Sequence, residues 1–208
     1  MAFNLSALFQ GLFLGAGLIV AIGSQNAFVL KQGLKREKVF LVCIICALSD
    51  ALLIAVGVSG TGTLVASSDL VSHVARVGGA IFLTIYGFRA LIAAIHGEYL
   101  NLDKSESVAG STAKIALTAL AFTYLNPHVY LDTLVLLGSI AGQFDGDERM
   151  LFGLGAILAS FVWFFSLGYG ARLLVPLFSK PSAWRVLDLI IAMIMFILAA
   201  GLIKPFIV

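Results

Sequence analysis

Charge is what this 208-residue sequence has least of. Asp, Glu, Lys and Arg make up 12% of it against 61% hydrophobic residues, and the mean hydropathy is +1.06. An ordinary soluble domain is about half apolar and about a quarter charged. A water-soluble globule is therefore excluded, because a chain this short could not hide so much apolar surface, whereas a bilayer accepts it. Cysteine is scarce too. The two present, Cys43 and Cys46, sit inside one apolar run, which argues for small core residues and against a C-x-x-C redox or metal centre. No cofactor motif is visible, and no basic patch suits nucleic acid; the cluster from Lys31 to Lys38 lies beside an apolar run. The first apolar run lacks the basic region that precedes a cleavable signal, so it reads as a retained span.

What fills the sequence is six apolar runs, at about 3–30, 39–60, 70–95, 115–141, 151–178 and 184–207. Each is near or above the ~20 residues that cross a hydrocarbon core as a helix. A polar linker at 96–114 divides them three and three. An odd number of spans per half makes the second half enter from the opposite side, the arrangement of inverted-repeat transporters. The expected architecture is an all-α integral membrane protein of two inverted three-helix repeats, 1–95 and 115–208, joined by a cytoplasmic linker at 96–114. The first span of each half carries a polar interruption, Gly23-Ser24-Gln25-Asn26 in one and Asn126-Pro127-His128 in the other. Breaks in matching positions are the best sequence pointer to a transport site.

Basic residues set the expected orientation. Lys31, Lys35, Arg36, Lys38, Arg89, Lys104, Lys114, Arg172, Lys180 and Arg185 fall on one side, and Arg76, Arg149 and Lys204 on the other. Ten against three places the loops between spans 1–2, 3–4 and 5–6 in the cytoplasm of a bacterial inner-membrane protein, with both termini outside. Gly11 and Gly15 form a G-x-x-x-G, and Ala156 and Ser160 a small-x-x-x-small pair. Both suit close helix packing and can also seal a homo-oligomer.

Most charges lie near span ends, where they can snorkel to the interface; Arg185 and Asp188, three residues apart, are expected to pair. Asp50 and Asp132 are different. Asp50 lies about 17 Å into its run at ~1.5 Å per residue, among the small neighbours Cys43, Cys46, Ala47 and Gly57 and with no basic residue within one turn. Asp132 shares a helical face with His128 and Tyr124. Just before it, Pro127 removes a backbone donor and pushes Asn126 out of helical geometry. An opened backbone at membrane depth is tolerated only where protein or water surrounds it, so the segment 126–132 should line a cavity. The 23–26 stretch offers a second break, whose Gln25 and Asn26 amides suit either substrate contact or helix–helix adhesion. Intramembrane acids are costly and functional by default. A carboxylate removed from water without a countercharge can exchange a proton for a mobile cation, the chemistry a proton-coupled cation exporter needs.

These residues resemble a known family. The stretches Gly15-Ala16, Ile22 to Gly33, Ser49-Asp50, Tyr124 to Asp132 and Ala159 to Phe164 are similar, in order and spacing, to the lysine and arginine exporters of the LysE type. The resemblance covers nearly the whole chain. It implies export driven by the proton-motive force, essential acids at Asp50 and Asp132, and two helix breaks that face each other. It departs at Ser24, where the family usually has proline, and the central linker is short.

The leading expectation is thus a secondary exporter of lysine, arginine or both, not an enzyme, with protons and membrane lipid as partners, no nucleic acid, and a homo-oligomer left open. Asp50, Asp132, Asn126, Gln25 and Asn26 would bind substrate. Asp50, Asp132 and His128 would handle protons, with Gly23, Ser24 and Pro127 as the breaks and no metal site. A divalent-cation exporter is the alternative, since carboxylate and amide oxygens are hard ligands; two deep acids are few for such a cage. An intramembrane aspartyl protease is a third reading, disfavoured because Leu131 precedes Asp132 and Ser49 precedes Asp50.

Overall fold

The computed structural model describes residues 5–20, 23–60, 69–96 and 111–204, and these are helical with short turns between. Helices are what an apolar chain in lipid must form, because each backbone N–H and C=O then finds its partner within the segment. The elements are α1 (Leu5–Ile19), α2 (Ser24–Lys35), α3 (Val39–Val58), α4 (Asp69–His96), α5 (Thr112–Tyr124), α6 (Pro127–Ala141), α7 (Gly146–Gly170) and α8 (Pro181–Ile203). Two short 3-10 turns, Ala171–Leu174 and Leu177–Ser179, connect α7 to α8.

Among the described residues, four helices are long and apolar enough to cross a membrane, and α1 with α2 forms a fifth candidate span bent by 82°. The fourth apolar run, expected as one span, is instead split into α5 and α6, each too short to cross alone. The first run also differs from expectation. Its second helix continues to Lys35, so Lys31 and Lys35 belong to α2 rather than to a loop. The turn into α3 is made by Arg36 and Lys38, both with positive φ, and the Arg36 N–H caps α2 on the carbonyls of Gln32 and Gly33. Most of the expected linker, with Lys104, lies outside the described residues.

Packing follows the small residues. α1 lies on α7 and α4 on α8, while α3 contacts α5, α6 and α7. A methyl group added to Gly11 would meet the Phe152 carbonyl oxygen at 1.9 Å, and one on Gly155 would meet the Leu8 carbonyl oxygen at 2.0 Å. The G-x-x-x-G of α1 is therefore a packing face, with Gly15 set against Ala156. At the other end of α3, Gly57 presses on the Thr133 carbonyl oxygen and Gly138 on Gly57 itself. Cys43 and Cys46 are free thiols buried in the core, and Cys43 Sγ donates to the Phe164 carbonyl. Phe28, Phe82, Tyr86 and Phe122 form an aromatic cluster, with Phe122 lying 4.8–5.1 Å from the other three.

Candidate functional site

Both expected interruptions are real breaks. In the first half, α1 ends at Ile19 and α2 starts at Ser24 behind an extended Gly23. Asn26 holds the break together: its Nδ2 donates to the Ile19 carbonyl at 2.8 Å, across the gap, while its Oδ1 accepts from Trp163 Nε1 of α7 at 3.1 Å. In the second half, α5 ends at Tyr124 and Asn126 is extended at φ −101°, ψ 106°. The Asn126 side chain caps the new helix by accepting from the His128 N–H at 3.1 Å, and Pro127 occupies the first helical position, where a missing N–H costs nothing. Two residues of the break are thus enough to stop one helix and start the next.

A feature not foreseen follows. Leu131–Leu136 winds as a π-helical turn, with Asp132 inside it. Such insertions occur mostly as single turns within α-helices and often at functional sites. Thr133 Oγ1 donates back to the Val129 carbonyl at 2.6 Å, and Tyr130 returns its hydroxyl to the Tyr124 carbonyl at 2.7 Å, satisfying an acceptor that the break releases.

The two breaks meet. Gln25 Nε2 donates to Thr123 Oγ1 at 2.9 Å, joining α2 to the end of α5. Between them lies a cavity of about 290 Å³ lined by Gly23, Gln25, Asn26, Asp50, Asn126, His128 and Asp132, with Thr133, Phe164 and several aliphatic side chains. Every residue expected to bind substrate or handle protons is therefore in one place. Ser24 and Pro127 shape the walls without lining the space, and Tyr124, expected on the same face as Asp132, is not among the lining residues.

Asp50 is 4% exposed. Its Oδ2 accepts from Ser160 Oγ of α7 at 3.1 Å, while its Oδ1 is buried without any hydrogen-bond partner. A buried polar atom left unpaired is costly, and native structures seldom keep one without reason. Asp132 is half-buried, and neither acid forms an ion pair among the described residues. No cluster of three or more His, Cys, Asp or Glu side chains suited to a metal ion occurs among them either. The cavity is thus a small, mostly apolar space with two acids and several amides, and no Lys or Arg is among the residues that line it.

The profile of the LysE type translocators matches residues 16–204. This chain belongs to that family. As a LysE type translocator it is a multi-pass membrane transporter rather than an enzyme, so the protease reading falls away. It is 44% identical to the arginine exporter protein ArgO of Enterobacter sp. (strain 638) over 200 residues, which is 96% of this chain and 94% of that one. Proteins of the same name from Klebsiella pneumoniae (strain 342) and Escherichia coli (strain K12) are 42% and 41% identical, over 94% and 93% of this chain and 92% of theirs. No solved structure matches it.

Sequence reasoning missed three contributors. Ser160 and Thr123 are the hydroxyls that hold Asp50 and Gln25, and Trp163 anchors Asn26. The available signal was polar groups embedded in apolar runs. Asp188, expected to pair with Arg185 along α8, is buried, and its carboxylate is bridged by Lys31 of α2. The spacing along α8 could not show that partner, because α2 brings it from the other half of the chain.

Proposed function

We propose that this translocator exports a cationic amino acid, with arginine as the main cargo and lysine the second, from the cytoplasm across a bacterial inner membrane in exchange for protons. The observation that carries the reading is the orphaned carboxylate oxygen of Asp50 in a cavity that also holds Asp132. The curated relatives, named as arginine exporters and matched over nearly the full length, support arginine as the cargo. About 290 Å³ is at the small end of ligand sites, which run from about 300 to 1,000 Å³, as a free amino acid requires.

In the proposed cycle the guanidinium or ammonium group pairs with Asp50 and Asp132. Asn126 and Gln25 take the α-carboxylate and α-amine, and His128 relays protons near Asp132. Asn26 already spends both ends of its amide on Ile19 and Trp163, so its part is to hold the break in place. Driving one positive charge out against a negative interior costs about 2.3 kcal/mol per 100 mV. Protons arriving from outside reverse that sign: each neutralises an acid, releases the cation and returns inward.

The same reading takes 1–95 and 115–208 as inverted repeats flanking the linker at 96–114. The packing supports a two-fold relation. The first span of each half lies on the second span of the other, α1 on α7 and α5–α6 on α3, while the second spans pack together and the third spans, α4 and α8, do the same. Lys31, Lys35, Arg89 and Lys114 share one cavity, as cytoplasmic placement of loops 1–2 and 3–4 requires, and both termini then lie outside. The test is efflux of labelled arginine and lysine from loaded proteoliposomes. An acid-outside pH gradient should accelerate efflux by wild type and leave the Asp50→Asn variant at the rate of empty vesicles. Gradient-independent efflux, or an active Asp50→Asn variant, would overturn the mechanism.

A further inference from the structure

A second cavity, of about 510 Å³, lies apart from the acids. Its walls carry four cations, Lys31 and Lys35 of α2, Arg89 of α4 and Lys114 of α5, and a single acid, Glu37. Lys31 is committed to Asp188. Arg89 and Lys114 remain beyond the one further cation that Glu37 can offset, so the space stays positive. This is the opposite of what a cationic cargo needs, so the cavity is not a continuation of the transport site. Read as topology markers, these residues needed only to lie on one side; the fold instead gathers them from three helices into one hollow.

The surroundings indicate what it holds. Arg89 and Lys114 are exposed, and the apolar side chains around them are exposed as well: Phe88 and Ile92 on α4 and Leu117 on α5 are each more than half accessible. In a membrane protein such residues face acyl chains. A basic hollow between helices, with Ile92 in its wall and further exposed apolar side chains on the same two helices, suits a phosphate head group and the hydrocarbon attached to it. Lys114 also lies in the first turn of α5, where unpaired backbone N–H groups favour an anion.

We infer that the hollow between α2, α4 and α5 is a binding site for a phosphate-bearing anion, filled in the membrane by the head group of an anionic phospholipid. The site ties the α2 half of the first broken helix to α4 and α5 through a shared ligand. It therefore stabilises the assembled helices without touching the transport cavity.

The test compares wild type with an Arg89→Gln/Lys114→Gln variant, using Lys180→Gln/Lys204→Gln as a control of equal charge loss at exposed positions. Each is placed in nanodiscs of phosphatidylglycerol or of phosphatidylcholine, and separately in neutral detergent with or without inorganic phosphate. Thermal unfolding and lipid retained on native mass spectrometry are read. Phosphatidylglycerol should raise the unfolding temperature of wild type and the control by several degrees and remain bound to them, with the effect lost in the Arg89/Lys114 variant. An equal rise with inorganic phosphate alone, lost in the same variant, supports the anion site with a soluble occupant. The inference is overturned if the Arg89/Lys114 variant keeps the same lipid preference as wild type, or if wild type has none. An Arg89→Lys/Lys114→Arg variant that restores the response separates charge recognition from a folding defect.

Discussion

The two helix breaks do the same job by different means. The first has no proline. Its helices meet at 82° and are held by Asn26, which bonds back to Ile19 and across to Trp163 on another helix. The second is self-sufficient: Pro127 sits at the start of α6, Asn126 caps that helix, and Tyr130 returns to the Tyr124 carbonyl. A break without proline needs tertiary struts, whereas one with proline carries its own geometry. The first is therefore vulnerable from a distance and the second only locally, although both deliver polar groups to one cavity.

The largest effects belong to the acids the breaks surround. Asp50→Asn and Asp132→Asn should each lower arginine efflux at least about 100-fold, equivalent to roughly 2.7 kcal/mol, with the proteins still folded and inserted; residual efflux above a tenth of wild type would remove that acid from the mechanism. Next comes the contact that seats the second break. Gly57→Leu should destabilise the protein by about 1–3 kcal/mol, because a Cβ there meets the Thr133 carbonyl oxygen at 2.3 Å; a thermal melt reads it. Trp163→Phe should cost about 1 kcal/mol for one lost hydrogen bond. It should lower efflux several-fold by freeing the first break, and an unchanged rate would show that the distant strut is unnecessary. Asn126→Ala should cost about 0.5–2 kcal/mol as a lost cap, with Pro127 limiting the damage. The smallest effect sharpens the comparison most. Ser24 is the first residue of α2, and its hydroxyl is buried without a partner. Ser24→Pro should be neutral or stabilising by up to about 1 kcal/mol, and should make the Trp163→Phe variant less defective; a destabilised Ser24→Pro would show that this break needs an unrestricted backbone.

Much of this was legible in the residues. Lipid leaves helices as the only solution for long apolar runs, so α3, α7 and α8 follow from hydropathy. Pro127 and the Asn126 before it dictate the second break by covalent geometry alone. Asp50 stood out because no basic residue lies within one turn of it, and Asp132 because it follows a proline break inside an apolar run. The unreadable parts are those decided by other helices. Asp188 has Arg185 one turn away, yet Lys31 reaches it from α2, and no spacing rule contains that partner. The π-helical turn around Asp132 has no side-chain signature. The 115–141 run is long and apolar enough to read as one span, but one proline near its middle turns it into two short helices.

The central claim is that Asp50 exchanges a proton for the cargo's cation. Proton release on arginine binding tests it directly, by calorimetry of purified protein in buffers of differing ionisation enthalpy. The account predicts that wild type releases protons as arginine binds, and that Asp50→Asn binds arginine weakly and releases about one fewer. Tight arginine binding by wild type with no proton released, or equal release from Asp50→Asn, would contradict it.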